Sequence, residues 1–253
     1  MLETILAIKK QEIETIYLPE QAQVTKQSFY HSLKQSPYAA GLIAEVKKAS
    51  PSKGIIRDDF NHVMVGRQYS DAGVQAISVL TDQHFFQGHR DFLTDIKKSV
   101  NVPVMRKDFI IDPVQVAESQ LIGADAILLI GEAMEASKLH ELYSQAYEAG
   151  LEVLVEVHSE ETLEGLLKEF TPEMVGINNR NLHTFETSLE QTRRMAELVP
   201  KESLLVSESG IFTHDDMKQV ASYGAEAVLV GESLMRQDNI KQAVGKLMNG
   251  VNV

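Results

Sequence analysis

The sequence predicts an α/β fold, a (β/α)8 or TIM barrel with an N-terminal helical extension. Three observations carry this. Short apolar runs alternate with amphipathic stretches of helical length, and there are eight such runs. From Ile43 to Val228 they recur about every 26 residues, roughly the chain that a strand, a helix and two loops consume. The total of 253 residues is a usual length for eight such units.

The apolar runs are LIAEV (42–46), AISVL (76–80), VPVM (102–105), AILLI (126–130), VLVEV (153–157), MVGIN (174–178), LLVSE (204–208) and AVLVG (227–231). They are short, rich in Val and Ile, and mostly do not alternate with polar residues, as in strands buried on both faces. Between them HELYSQAYEAGL, SEETLEGLLKEF, SLEQTRRMAELV and THDDMKQVASYGA carry apolar residues at three- and four-residue spacing. Several begin with Ser, Thr or Asp and end near Gly, as at Gly123, Gly150 and Gly224. Helices between strands return the chain and make the strands parallel. An open doubly wound sheet would usually show G-x-G-x-x-G after its first strand, where this chain has KKASPSKG.

Residues 1–40 precede the first strand. MLETILAIKKQEIETIYL has helical spacing, and so does a second stretch from about Gln21 to Lys34. This extension either plugs the bottom of the barrel or reaches its catalytic rim; the sequence leaves both open. Residues 41–253 form the barrel of a single-domain chain, 1–253, with no linker or low-complexity tract.

Composition excludes several classes. The chain has no cysteine, so a disulfide scaffold, a thiolate zinc site and a cysteine nucleophile are out. A net charge of −12 argues against nucleic acid. The longest charge-free runs are ten residues, against the ~20 that a membrane span needs. The N-terminus has no basic region and no uninterrupted apolar core, so no secretory signal is expected and a cytoplasmic location fits. No histidine or acid cluster has metal-ligand spacing, and none of the histidines stands out: His62, His89 and His140 fall in or beside helices, His158 and His183 in loops. A monomer is the expectation.

In such barrels the active site lies at the C-terminal ends of the strands. Glu45 and Lys47 are two apart and share the inner face, while Leu42, Ala44 and Val46 face the helices. Lys107 ends the third strand, Glu156 sits inside VLVEV, Asn178 ends the sixth strand with Arg180 beyond it, and Glu208 ends the seventh. Lys and Glu often end strands because strand ends meet solvent. Glu45 and Glu156 resist that explanation, since each lies within an apolar run and would be costly there unpaired. Three glutamates and two lysines that compensate one another at a barrel mouth point to acid–base chemistry. SESGI (207–211) and VGESLMR (230–236) put Gly directly after the last two strands, in loops that often bind phosphate. SPSKG (50–54) is either a ligand loop or a Pro-containing turn. Phe109 could wall an aromatic pocket, with Phe85 and Phe86 more simply read as filling under a loop.

Taken together, AEVKKASPSKG (44–54), RKDFI (106–110), LVEVH (154–158), GINNRNL (176–182), SESGI (207–211) and GESLMR (231–236) resemble the indole-3-glycerol-phosphate synthase family of tryptophan biosynthesis. The resemblance spans nearly the whole chain. It implies ring closure, decarboxylation and dehydration of 1-(2-carboxyphenylamino)-1-deoxyribulose 5-phosphate, without a cofactor. It also implies that Lys107 is the general acid for closure and that Glu45 positions it. Lys47 and Glu156 are candidates for the dehydration, the division among Lys47, Lys107 and Glu156 staying open. By the same resemblance Asn178 and Glu208 hydrogen-bond the sugar-derived hydroxyls, Arg180 and Ser50 hold the carboxylate, and Phe109 and Leu182 sandwich the aryl ring. Ser209, Gly210, Gly231 and Glu232 bind phosphate through backbone, with Lys53 adding charge. Glu232 is tolerable beside a dianion only if its side chain points away, and a side chain at position 231 should weaken binding more than chemistry.

The competing chemistry is a Schiff-base aldolase or lyase acting on a phosphorylated ketose through Lys47 or Lys107. Phosphoribosylanthranilate isomerisation, which typically uses a cysteine and an aspartate, is disfavoured by the absence of cysteine. A catalytically silent scaffold would have eroded strand tips, and these are complete.

Overall fold

Eight parallel strands close into a barrel in this computed structural model, which describes residues 1–181 and 184–250. The strands are β1 (Gly41–Val46), β2 (Ala76–Leu80), β3 (Val104–Lys107), β4 (Ala126–Ile130), β5 (Glu152–Val157), β6 (Met174–Asn178), β7 (Leu204–Glu208) and β8 (Ala227–Val230). Each pairs with its neighbours in sequence, and β8 closes on β1 with Leu42 opposite Val228. The third strand lies two residues later than VPVM suggests. Pro103 has no N–H for the ladder, so pairing begins at Val104, whose amide donates to Asp125 Oδ2 at 2.7 Å, and runs on through Arg106 and Lys107.

Strand alternation sorts the side chains. Ile43, Met105, Leu154, Met174 and Val206 fill the barrel interior, while Leu42, Ala44 and Val46 pack outward against the helices. The outer layer comprises α3 (His62–Asp71), α4 (Arg90–Lys97), α5 (Pro113–Leu121), α6 (Ala136–Glu148), α7 (Glu160–Leu167), α8 (Glu190–Ala196), α9 (His214–Ser222) and α11 (Ile240–Asn249). Two short pieces follow strands directly: a 3-10 turn, Gly131–Ala133, after β4, and α10 (Glu232–Met235) after β8. N-caps are largely side-chain made. Thr213 and Asp216 form a reciprocal capping box on α9.

The extension does both things its sequence allows, with different segments. Helix α2 (Phe29–Lys34) closes the bottom: Phe29 and Leu33 join the interior cluster, and Ser28 and Tyr30 bond Glu152 at the start of β5. Helix α1 (Leu2–Ile13) lies over the other end, where Met1, Leu2 and Ile5 line the central cavity. Both helices are shorter than their spacing predicts. Between them residues 16–28 are non-helical, and the barrel takes backbone groups of this stretch. Ala22 N–H bonds Leu121 O, and Gln27 N–H bonds Asp125 Oδ1.

KKASPSKG is a miniature hairpin. Ala49–Ser50 pairs antiparallel with Gly54–Ile55, and Gly54 takes the left-handed conformation (φ +64°) that the turn requires.

Candidate active site

The site forms where the inward parity of the strands reaches the open end of the barrel. Lys107 Nζ lies 3.0 Å from Glu208 Oε2, 3.2 Å from Glu156 Oε2 and 3.8 Å from Glu45 Oε2. Lys47 Nζ pairs with the other oxygen of Glu45. Asn178 Nδ2 donates to Glu156 Oε1 at 3.0 Å, and its own Oδ1 accepts the Arg180 amide. All three glutamates are buried. One ammonium thus holds carboxylates from three strands, which none of them could be without.

The same parity explains R-K-D-F. Lys107 points in, whereas Arg106 and Asp108 point out into a buried network under α1. Lys9 of α1 meets Asp82 Oδ2 and Asp108 Oδ1, each at 2.9 Å, and Arg106 meets Asp108 and Glu118 at 3.2 and 2.8 Å. The amphipathic pattern of α1 gave no sign that Lys9 is buried.

Burial alone would raise every one of these carboxyls. At Glu156 the opposing charges of Lys107 and His158 win, and its pKa falls to about 2. At Glu45 the two lysines win and the shift is again downward. Glu208 goes the other way, to about 8, because burial and the Glu156 charge outweigh Lys107. Its Oε1 is buried without a hydrogen-bond partner among the described residues, packed over Gly176. Lys107 itself is pushed up, its three carboxylates overcoming desolvation. The arrangement therefore offers a fixed cation, a fixed carboxylate and a carboxyl able to carry a proton near neutral pH.

The cavity around this cluster is lined further by Ser50, Phe109 and Arg180, joined by Phe86, whose ring centroid is 6.2 Å from that of Phe109. Phe85 does not line the cavity. Ser209, Gly210, Gly231 and Glu232 line it as well. Ser209 and Gly210 are consecutive left-handed residues (φ +67° and +78°), a strained pair for a serine, held by the turn after β7. Glu232 Oε1 accepts from Arg236 Nε at 3.0 Å, so its carboxylate is engaged with the next turn of α10.

Two expectations need correction. Lys53 is exposed at the hairpin tip and does not line the cavity, although Ser50, Pro51 and Ser52 do. A Cβ on Gly231 would run into Glu45 Oε1, so substitution there disturbs the lysine–glutamate cluster and not only the loop after β8. Leu182 lies outside the described residues. The histidine at the end of β5 was passed over in the sequence: His158 lines the cavity, two residues after Glu156 and on the same face. That spacing, the same as Glu45 to Lys47, is the signal that could have found it. Among the described residues no group of three His, Asp or Glu side chains could hold a metal ion.

The fold and this cluster define a (β/α)8 barrel whose open end gathers acidic and basic side chains around one cavity. Comparison with known proteins gives the family. The family model of indole-3-glycerol phosphate synthase matches residues 2–247. Relatives with that name include one from Priestia megaterium, 61% identical over 98% of this chain and 97% of its own, and one from Geobacillus sp. (strain WCH70), 58% identical over 99% and 98%. The chain belongs to the indole-3-glycerol phosphate synthase family, and it is a lyase that carries out a decarboxylative ring closure on a small phosphorylated substrate in tryptophan biosynthesis. Distant solved structures share the barrel alone. A tryptophan synthase α-subunit mutant from Pyrococcus furiosus aligns at TM-score 0.63 and 14% identity, over 85% of this chain and 99% of that one. A 3-hexulose-6-phosphate synthase from Salmonella typhimurium aligns at TM-score 0.64 and 18% identity, over 82% and 96%.

Proposed function

We propose that Lys107 is the general acid for ring closure and that Glu156 and Lys47 carry out the dehydration. The supporting observation is the position of Lys107 Nζ within 3.8 Å of three carboxylates on three strands. That charge environment keeps the ammonium protonated and aimed into the cavity, where it can meet the ketone oxygen as the aryl carbon attacks. Loss of carbon dioxide then leaves an indoline alcohol. Glu156, held as a carboxylate, takes the ring proton, while Lys47, oriented by Glu45, protonates the departing hydroxyl. Asn178 and Glu208 bond the sugar-derived hydroxyls, Glu208 as a proton-carrying group. Arg180 and Ser50 face the carboxylate before it leaves, and Phe109 faces the aryl ring. Ser209, Gly210, Gly231 and Glu232 bind the phosphate through backbone.

The Schiff-base alternative fits less well. A lysine nucleophile must be unprotonated, and the surroundings of Lys107 push it the opposite way. In the same reading the chain is one domain, residues 41–253 with the 1–40 extension, acting as a monomer. A cytoplasmic location follows from a substrate whose charges oppose unaided membrane passage.

Rapid-quench mass spectrometry tests the division of roles. Lys107→Met should stall at substrate. Lys47→Met and Glu156→Gln should accumulate the decarboxylated indoline alcohol, one water heavier than product. If all three stall at substrate, the dehydration assignment is wrong.

A further inference from the structure

The mechanism above leaves one part-buried titratable group at the reacting end of the cavity unused. His158 follows β5, and its contacts are specific. Glu132, in the 3-10 turn after β4, takes the His158 amide N–H on Oε1 at 2.7 Å and faces the ring Nδ1 with Oε2 at 3.0 Å. Gln191 of α8 donates to the His158 carbonyl at 2.8 Å. The backbone of His158 is thereby held on both sides, and its ring is anchored at Nδ1 by Glu132. Its other nitrogen, Nε2, is buried with no hydrogen-bond partner of good geometry and lies 3.3 Å from Glu156 Oε1.

We infer that His158 is a positioning residue for Glu156, with Glu132 fixing the ring through Nδ1 so that Nε2 holds the Glu156 carboxylate toward the reacting atoms. Proton counting supports it. Nδ1–H is committed to Glu132, so a neutral ring would turn a lone pair on Nε2 toward the Glu156 oxygen. A proton on Nε2 turns that repulsion into an ion pair. The charged groups facing the ring favour this form: Glu132, Glu156 and, farther off, Glu208 of β7, opposed by burial and outweighing it. Lys107 holds the other Glu156 oxygen, so the carboxylate is gripped from both ends. Its charge as well as its direction then depends on His158.

The inference rests on Glu156 acting as the base, and the test separates the two. His158→Ala should lower kcat about tenfold or more while KM stays within about twofold, the pattern of a lost contribution to the chemical step. His158→Gln, which keeps a donor without the charge, should restore part of kcat. In a Glu156→Gln background His158→Ala should cost nothing further. A readout independent of turnover comes from two-bond 1H–15N spectra of 15N-histidine-labelled parent protein. His158 should be an imidazolium at neutral pH, and Glu132→Gln or Glu156→Gln should each lower its titration midpoint by about one unit. A neutral His158 in the parent, or parent-like kcat in His158→Ala, overturns the inference while leaving Glu156 as the base. An active Glu156→Gln enzyme removes the base and the inference with it.

Discussion

Replacing Lys107 with Met shortens the side chain by one atom, keeps its unbranched shape and deletes one charge. The consequence can be worked from the distances. At an effective dielectric near 20, the Glu156 and Glu45 carboxylates, 3.2 and 3.8 Å from the ammonium, attract it by about 4–5 kcal/mol per pair before desolvation is subtracted; Glu208, which carries a proton near neutral pH, adds a hydrogen bond rather than a full charge pair. Without the ammonium, Glu45 keeps Lys47 and Glu156 keeps His158 as cationic neighbours among the described residues, and the folded protein must take up protons. Glu156 supplies the sign. Its folded pKa of about 2 lies below the ordinary carboxylate value, so its contribution to stability is present above about pH 4.3 and is lost as pH falls through about 2. The variant lacks most of that contribution. Its melting temperature should therefore lag the parent most at neutral pH, and the gap should close on acidification. Catalysis should fall by about 10²–10⁴, the usual worth of one positioned acid. Single-turnover formation of the indole chromophore measures the chemical step, and circular dichroism checks the fold. A chemical step within about threefold of the parent would refute the general-acid role. A melting gap that widens toward acid would refute the electrostatic account.

Three further outcomes follow. Glu156→Gln should remove most turnover with substrate binding nearly unchanged; parent-like chemistry with a lowered melting temperature would make Glu156 structural. Gly231→Ala should reduce kcat as well as phosphate-dependent binding, because its Cβ meets the Glu45 carboxylate, and sulfate should inhibit it less well than the parent; a pure binding defect would show that Glu45 moves freely. Lys9→Met should cost about 3–5 kcal/mol by leaving Asp82 buried without its lysine and Asp108 with Arg106 as its remaining cation, and the Asp108 share of that deficit should fade as pH falls from about 4 towards 2; a loss independent of pH would point to packing.

Much of this was legible in the sequence for a physical reason. A strand buried on both faces tolerates a charge only where the barrel opens, so Glu45, Glu156 and Glu208 marked both the inner face and the open end. Parity did the rest for Lys47 and Lys107. What was hidden depended on contacts distant in sequence. The extended path of residues 17–28 is set by backbone partners on the barrel, which no local periodicity reveals. Lys9 looks like an exposed helix residue until Asp82 and Asp108 arrive from β2 and β3. Glu132 becomes a partner of His158 only because β4 and β5 are neighbours. The strained turn at Ser209, by contrast, was marked by the Gly that follows it.

The account turns on the lysines acting as proton donors rather than nucleophiles, and borohydride trapping during turnover examines that directly. Parent enzyme mixed with 1-(2-carboxyphenylamino)-1-deoxyribulose 5-phosphate and borohydride should keep its mass and its activity. A reduced substrate adduct mapping to Lys107 or Lys47, accompanied by inactivation, would contradict it.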